Sequence, residues 1–299
     1  MKKILLLALL LALPLFAKEE KRQCKMGRDY WLYTPETVDK NKTYWLVVGV
    51  HGAKGNGKGA SGLSSWVEKY PNVIVVGPSF PIAGPYYQGL GGESDQQLLN
   101  IHKELSKEFK LHTKMFLHGF SGGSQYSHRF ANKHPKSVIG VSSHSGGSWE
   151  DAPDKDTASI IWTLSCGLKD TALSTPESPM NRIDFFRKFY QAMNKGPFTA
   201  KPFVTQAGHS PSGEVKDAAE ECFRVATTGL FDYQRKATEG MNTMNRESWI
   251  KKDAKLTEKE FNDGVKTYKL KVNQDGWTVG PAALKSMTDT RLMLDKMKK

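Results

Sequence analysis

The sequence predicts an α/β protein: a mainly parallel sheet covered by helices on both faces. Three observations predict it. Short, nearly continuous apolar runs alternate with segments of helical periodicity, the pattern of strands buried on both sides and joined by helical crossovers. Gly, Pro and polar clusters separate the runs. The residue types that carry chemistry fall just after the runs, where open parallel sheets gather ligands.

The first residues read as an export signal. Lys2 and Lys3 precede an apolar run over 4–13, Pro14 breaks it, and Ala17 offers a cleavage site. The run is shorter than the roughly 20 apolar residues of a membrane-spanning helix, so a stable membrane insertion is not expected. Residues 1–17 carry two lysines and no acid, and their removal lowers the formal charge from +12 to +10. The excess lysines are scattered and form no long basic block, which argues against a nucleic-acid partner. Cys24, Cys166 and Cys222 are the three cysteines. An oxidising compartment allows one disulfide, with the pair left open, and neither a CxxC nor a His/Cys cluster suggests a metal.

The elements follow in order. Asp29–Thr34 is an aromatic-rich strand and Tyr44–Val50 (YWLVVGV) a strand buried on both faces. A Gly-rich loop leads to a helix over 61–70, then a buried strand over 72–76. Leu98, Ile101, Leu105 and Phe109 recur at helical spacing over 94–110. Strands are expected over 114–117, 138–142, 159–165 and 202–206, with helices over 124–134, 180–193 and 214–236. The division is a signal over 1–17, a catalytic domain over 18–239 and a polar, Lys-rich extension over 240–299 with a helix near 282–297.

After the strand at 114–117 stands His118-Gly119-Phe120-Ser121-Gly122-Gly123, a G-x-S-x-G pattern between a strand and a helix. Such a turn holds the serine in a strained conformation and exposes its hydroxyl at a helix N-terminus. Small neighbours are needed because strand and helix nearly touch, and there the Gly122 N–H faces a developing oxyanion. Ser145 is a rival, but it lacks a glycine two places earlier and a clear helix after it.

A serine hydroxyl is a poor nucleophile near neutral pH without a base, and the base needs an orienting acid. With this type of turn both follow downstream. Asp170 leaves the end of the strand at 159–165, and His209 leaves the end of the next one. Asp151, Asp154 and Asp156 precede the strand and are worse placed. His118 and His144 are expected to shape the same end of the sheet rather than act as the base. The second oxyanion donor is expected to be the Ala53 N–H in Val50-His51-Gly52-Ala53, with His51 structural. Tyr86, Tyr87, Trp149 and Trp162 are candidates for an acyl or aryl pocket, and residues 81–92 for a lid. Residues 52–59 (GAKGNGKG) nearly match a phosphate-binding loop, but Gly59 stands where that motif needs a hydroxyl for Mg²⁺.

The HGA segment at His51, GFSGG at Gly119, GLKD at Gly167 and GHS at Gly208 together resemble the α/β-hydrolase superfamily. The resemblance runs from about residue 29 to about 234. It looks closest to secreted esterases grouped with polyhydroxybutyrate depolymerases, feruloyl and acetyl-xylan esterases, and dienelactone-hydrolase-like proteins. It implies an α/β-hydrolase fold with about eight mostly parallel strands and ester hydrolysis through an acyl-enzyme. It also implies no metal or organic cofactor. The partner is then an ester, either a small molecule or a polymer-linked acyl group, met outside the cytoplasm in a secreted or periplasmic setting. A serine peptidase using the same triad, and a non-catalytic binding protein on this scaffold, are the alternatives.

Overall fold

The structure, a computed structural model, describes residues 17–81, 86–148, 155–167, 169–170, 198–205 and 207–228, together with Arg182, Phe186 and Phe189. Residues 1–16 of the expected export signal, the extension from residue 240 and most of the stretch 180–193 lie outside the described residues. Arg182, Phe186 and Phe189 are helical, as expected for that stretch.

Eight strands form one sheet: β1 (Lys18–Gln23), β2 (Asp29–Thr34), β3 (Tyr44–Val50), β4 (Val73–Pro78), β5 (Leu111–Phe120), β6 (Val138–His144), β7 (Ile161–Gly167) and β8 (Thr199–Thr205). Their spatial order is β1-β2-β4-β3-β5-β6-β7-β8. β2 runs antiparallel to both β1 and β4, and every other neighbouring pair is parallel.

The strands alternate their side chains between two cores, as the two-residue period requires. Leu46, Val48 and Val50 of β3 join Ile74, Val76, Met115 and Leu117 beneath α2 (Ser94–Glu108) and α3 (Gly122–Lys133), which contribute Leu98, Ile101, Leu105, Tyr126 and Phe130. Val47, Val73, Val75 and Phe116 face the other way. They meet Trp66 and Val67 of α1 (Trp66–Lys69) and Ala219, Cys222 and Phe223 of α4 (Gly213–Thr228). Full burial of each large apolar side chain contributes about 1.5–3 kcal/mol, so both layers hold the central strands in register.

Three expectations are corrected. The helix over 61–70 is instead a 3₁₀ turn at Lys58–Gly62 followed by the single turn of α1. Gly59, Ala60 and Ser61 take positive φ, because this segment presses on β3. A methyl on Gly49 would lie 1.8 Å from the Ala60 carbonyl oxygen, so the main chains of the two segments are in direct contact. Strand β1 was not expected at all. Its sequence KEEKRQ has no apolar alternation, and it sits at the sheet edge, where charge discourages pairing with other chains. Its Arg22 reaches Glu108 of α2 at 2.6 Å. Finally, no disulfide forms: Cys24, Cys166 and Cys222 are buried free thiols. Cys222 lies in one core and Cys24 and Cys166 in the other, across the sheet.

Among the described residues no helix is long and apolar enough to cross a membrane. The register aligns the carboxyl ends of the central strands, with Val50 opposite Gly119, Phe120 opposite His144, His144 opposite Ser165 and Gly167 opposite Thr205. The loops that follow these residues therefore emerge along one edge.

Candidate active site

Ser121 stands between β5 and α3 with φ 57° and ψ −117°, a conformation that L side chains rarely adopt. The tight turn is possible because its flanking residues lack side chains. A methyl on Gly119 would come within 2.2 Å of the Gly123 carbonyl, and one on Gly123 within 2.2 Å of the Val50 oxygen. The turn is fixed from the neighbouring strand, where the His144 carbonyl accepts the Ser121 N–H at 2.9 Å.

The loops after β7 and β8 bring the other two residues to it. Gly167 lets them nest, since a methyl there would meet the carbonyl oxygens of Gly208 and Ala207 at 2.3 and 2.4 Å. The Lys169 N–H donates to the Ala207 oxygen at 3.1 Å, which ties the two loops together. His209 Nε2 lies 3.0 Å from Ser121 Oγ, and its Nδ1 lies 2.8 Å from Asp170 Oδ2. An ionised carboxylate only accepts, so Nδ1 carries the proton and Nε2 accepts from the serine hydroxyl. Asp170 is buried and its ring partner partly exposed, so the open end of the array is the serine.

Two groups around Asp170 had no sequence signal. Arg182 Nη1 reaches Asp170 Oδ1 at 3.3 Å, and the Cys166 thiol approaches Oδ2 at 3.9 Å. Arg182 comes from a stretch whose periodicity announced only a helix. Burial pushes the Cys166 thiol up to about 11, so it stands there as a neutral weak donor.

Gly122 and Ala53 also come together. A methyl on Gly122 would touch the Ala53 nitrogen at 3.0 Å and the Tyr87 hydroxyl at 2.7 Å. Among the described residues neither the Gly122 nor the Ala53 N–H has an acceptor. The Ala53 loop is held by His51 and Tyr87. The Phe80 N–H donates to His51 Nε2 at 3.1 Å, His51 Nδ1 donates to the Gly52 oxygen at 2.8 Å, and the Tyr87 hydroxyl donates to the His51 carbonyl at 2.7 Å. Burial lowers the His51 pKa and raises that of Tyr87, which keeps both neutral.

The pocket candidates separate. Tyr86 is 76% exposed, while Tyr87 is buried with only its hydroxyl directed at the Gly122 region. Trp162 is fully buried in the core against Phe189, with no surface to offer a ligand. The aromatic side chain on an inward position of a central strand packs before it can line anything. Trp149 lies outside the described residues, as do residues 82–85 of the expected lid. The described end of that segment is a 3₁₀ turn, Tyr87–Gly89.

Ser145, the rival nucleophile, also has positive φ, but it is fully buried. Its hydroxyl lies 3.3 Å from His144 Nε2, 3.7 Å from Cys166 Sγ and 3.4 Å from the Gly167 nitrogen. The Gly-rich loop does not cradle phosphate either, for its amides turn inward. Those of Gly55, Gly57, Lys58 and Gly59 donate to the Gly52 oxygen, Ser79, Asn56 and Tyr33 respectively. No cluster of three or more His, Cys, Asp or Glu that could hold a metal occurs among the described residues.

No family model and no curated protein matches the chain. Solved structures do. Poly(aspartic acid) hydrolase-1 from Sphingomonas sp. KT-1 is 19% identical at a TM-score of 0.57, over 71% of this chain and 100% of that one. A ferulic acid esterase from Anaeromyces mucronatus is 16% identical at 0.54, over 69% and 89%. A poly(3-hydroxybutyrate) depolymerase from Bordetella parapertussis is 16% identical at 0.50, over 74% and 94%. At such identities the likeness is one of architecture, and together with the eight-stranded sheet and its order it identifies the chain as having the α/β-hydrolase fold.

Proposed function

We propose that the chain is an exported serine hydrolase that cleaves carboxylic esters through an acyl-enzyme on Ser121. The observation that carries this reading is the hydrogen-bonded series Ser121–His209–Asp170, at 3.0 and 2.8 Å. The esterases and the depolymerase among the structural neighbours support the choice of an ester, on a small molecule or on a polymer-linked acyl group. The basic start and apolar run of residues 1–17 support export to a secreted or periplasmic setting.

In this reading Ser121 Oγ attacks the ester carbonyl while its proton passes to His209 Nε2. Asp170 fixes the ring tautomer and stabilises the imidazolium. The Gly122 and Ala53 N–H groups donate hydrogen bonds to the carbonyl oxygen as negative charge develops on it. Collapse breaks the bond to the alcohol, which leaves with the proton from His209. Water, deprotonated by the same ring, then attacks the acyl-enzyme and releases the acid. Tyr86, which is exposed and adjoins Tyr87 in the chain, is the remaining described aromatic candidate for contact with a substrate. No step calls for a metal or organic cofactor.

A second reading has a specific source. The neighbour named poly(aspartic acid) hydrolase-1 points to an amino-acid polymer, whose amide links the same residues can cleave by transferring the acyl group to Ser121 while the amine leaves with the proton from His209. The test is turnover of a panel of short p-nitrophenyl esters against aminoacyl amides. Ester turnover that falls on the order of 10⁶-fold in Ser121→Ala supports the ester reading. Amide turnover without ester turnover favours the second, and unchanged turnover in Ser121→Ala removes both.

A further inference from the structure

His144 joins the nucleophile to the base from behind, though it touches neither reacting atom. Its main-chain oxygen accepts the Ser121 N–H at 2.9 Å. Its ring Nε2 lies 3.0 Å from the carbonyl oxygen of Ser210, the residue after His209. A carbonyl cannot donate, so Nε2 must carry the ring proton. Nδ1 is then an acceptor, and the Ser165 hydroxyl donates to it at 2.8 Å. The Ser145 hydroxyl, 3.3 Å from Nε2, offers a second and longer acceptor.

The same ring stacks on Phe120 at 5.7 Å between centroids, and Phe120 also packs against the His209 ring at 4.7 Å. One residue therefore binds the strand that presents the nucleophile, the aromatic spacer in front of it and the loop that presents the base. His144 is fully buried, and burial lowers its pKa to about 4. It stays neutral near pH 7, the state in which one nitrogen donates and the other accepts.

We propose that His144 is the positioning residue that sets the Ser121–His209 separation, acting through Ser210 and Phe120. The inference rests on the reading of Ser121 and His209 as nucleophile and base. Hydrogen-bonded proton transfer tolerates little error, and a displacement of about 1 Å can cost about 10²-fold in rate. A histidine at 144 is needed because a side chain there must donate to a carbonyl, accept from a hydroxyl and present a flat face to Phe120 together. Glutamine supplies the first two functions, whereas phenylalanine supplies only the third.

The test is a double-mutant cycle on ester hydrolysis, with His144→Phe and His209→Ala alone and together, and thermal melts to confirm folding at the assay temperature. His144→Phe is expected to lower kcat/KM about 10²-fold in the otherwise unaltered protein, mainly through kcat, and by less than about twofold in the His209→Ala background. His144→Gln is expected to recover most of the loss. A residue that matters only for the fold would lower the melting temperature and leave the folded enzyme's kcat intact. Equal losses in both backgrounds, or no loss, overturn the proposal. If His144→Phe does not fold, Ser165→Ala decides in its place, since it removes only the hydroxyl that holds the ring through Nδ1. A several-fold loss of kcat that vanishes in the His209→Ala background supports the proposal, and its absence overturns it. Failure of the underlying reading has a different signature: His209→Ala itself leaves ester turnover unchanged.

Discussion

Ser121 carries a conformational cost that only its position explains. A non-glycine residue at φ 57° and ψ −117° stores about 1–3 kcal/mol of backbone strain. Ser121→Gly should therefore abolish ester turnover and yet raise the free energy of unfolding by about 1 kcal/mol or more, read as a higher urea midpoint; a lower midpoint would place the strain elsewhere. Asp170→Asn should leave the fold intact and lower kcat by about 10⁴-fold, because the amide favours the wrong histidine tautomer. The three thiols make a separate prediction. Burial lifts the Cys166 thiol to about 11 and the Cys222 thiol to about 12, and Cys24 is buried as well. A thiol reagent should label none of them in the native protein and all three in denaturant without reductant; fewer than three would reveal a disulfide. Ser121, Asp170 and His209 were legible in the sequence because each follows a strand and the serine turn has its own glycine signature. Arg182 was not, since its partner is distant in the chain and no local pattern marks it; His144 was expected to shape this end of the sheet, but the partners of its ring had no sequence signal. Trp162 misled for the opposite reason: an aromatic near a strand end reads the same whether it faces a pocket or the core.

At the level of elements, the turn between β5 and α3 has no room for added side chains at Gly119 or Gly123. Gly123→Ala would drive a methyl to 2.2 Å from the Val50 carbonyl oxygen, a main-chain atom that cannot move aside without displacing β3. The expected result is a loss of stability above about 3 kcal/mol, measured by denaturant titration, together with loss of ester turnover. Gly27, with nothing within 4 Å of a methyl, has no such contact to break, although its φ of 71° leaves a backbone penalty there. The buried strands were readable because they are apolar on both faces. The helix over 61–70 was not, because the positive φ at Gly59, Ala60 and Ser61 comes from packing against Gly49 rather than from local preference. Strand β1 was invisible for a related reason: pairing with β2 holds it, and pairing leaves no apolar signature in KEEKRQ.

At the level of the whole molecule, buried histidines link stability to pH. Burial lowers His118 and His128 to about 3 and His144 to about 4, against 6.5 when unhindered. Between about pH 4 and 6.5 the unfolded chain therefore binds protons that the native protein refuses. Stability from these groups is present above pH 6.5 and is lost as the pH falls through that window. Each contributes a slope approaching about 1.4 kcal/mol per pH unit, or about 4 kcal/mol per unit for the three. The urea midpoint should drop steeply between pH 6.5 and 5, before most carboxylates titrate; a shallower drop would mean that one or two of these rings take up protons in the native state, and a flat midpoint that all three do. The sheet with helices on both faces was legible from the alternation of elements, and the parallel register of β3 to β8 is what delivers their carboxyl ends to one edge.

Intact-mass and peptide analysis after reaction with a fluorophosphonate probe tests the central claim most directly, because such a probe reports an activated serine whatever the natural acyl donor. One adduct per chain on Ser121 is predicted, absent in Ser121→Ala and strongly slowed in His209→Ala. An unlabelled protein, or an adduct on another serine such as Ser145, would contradict the account.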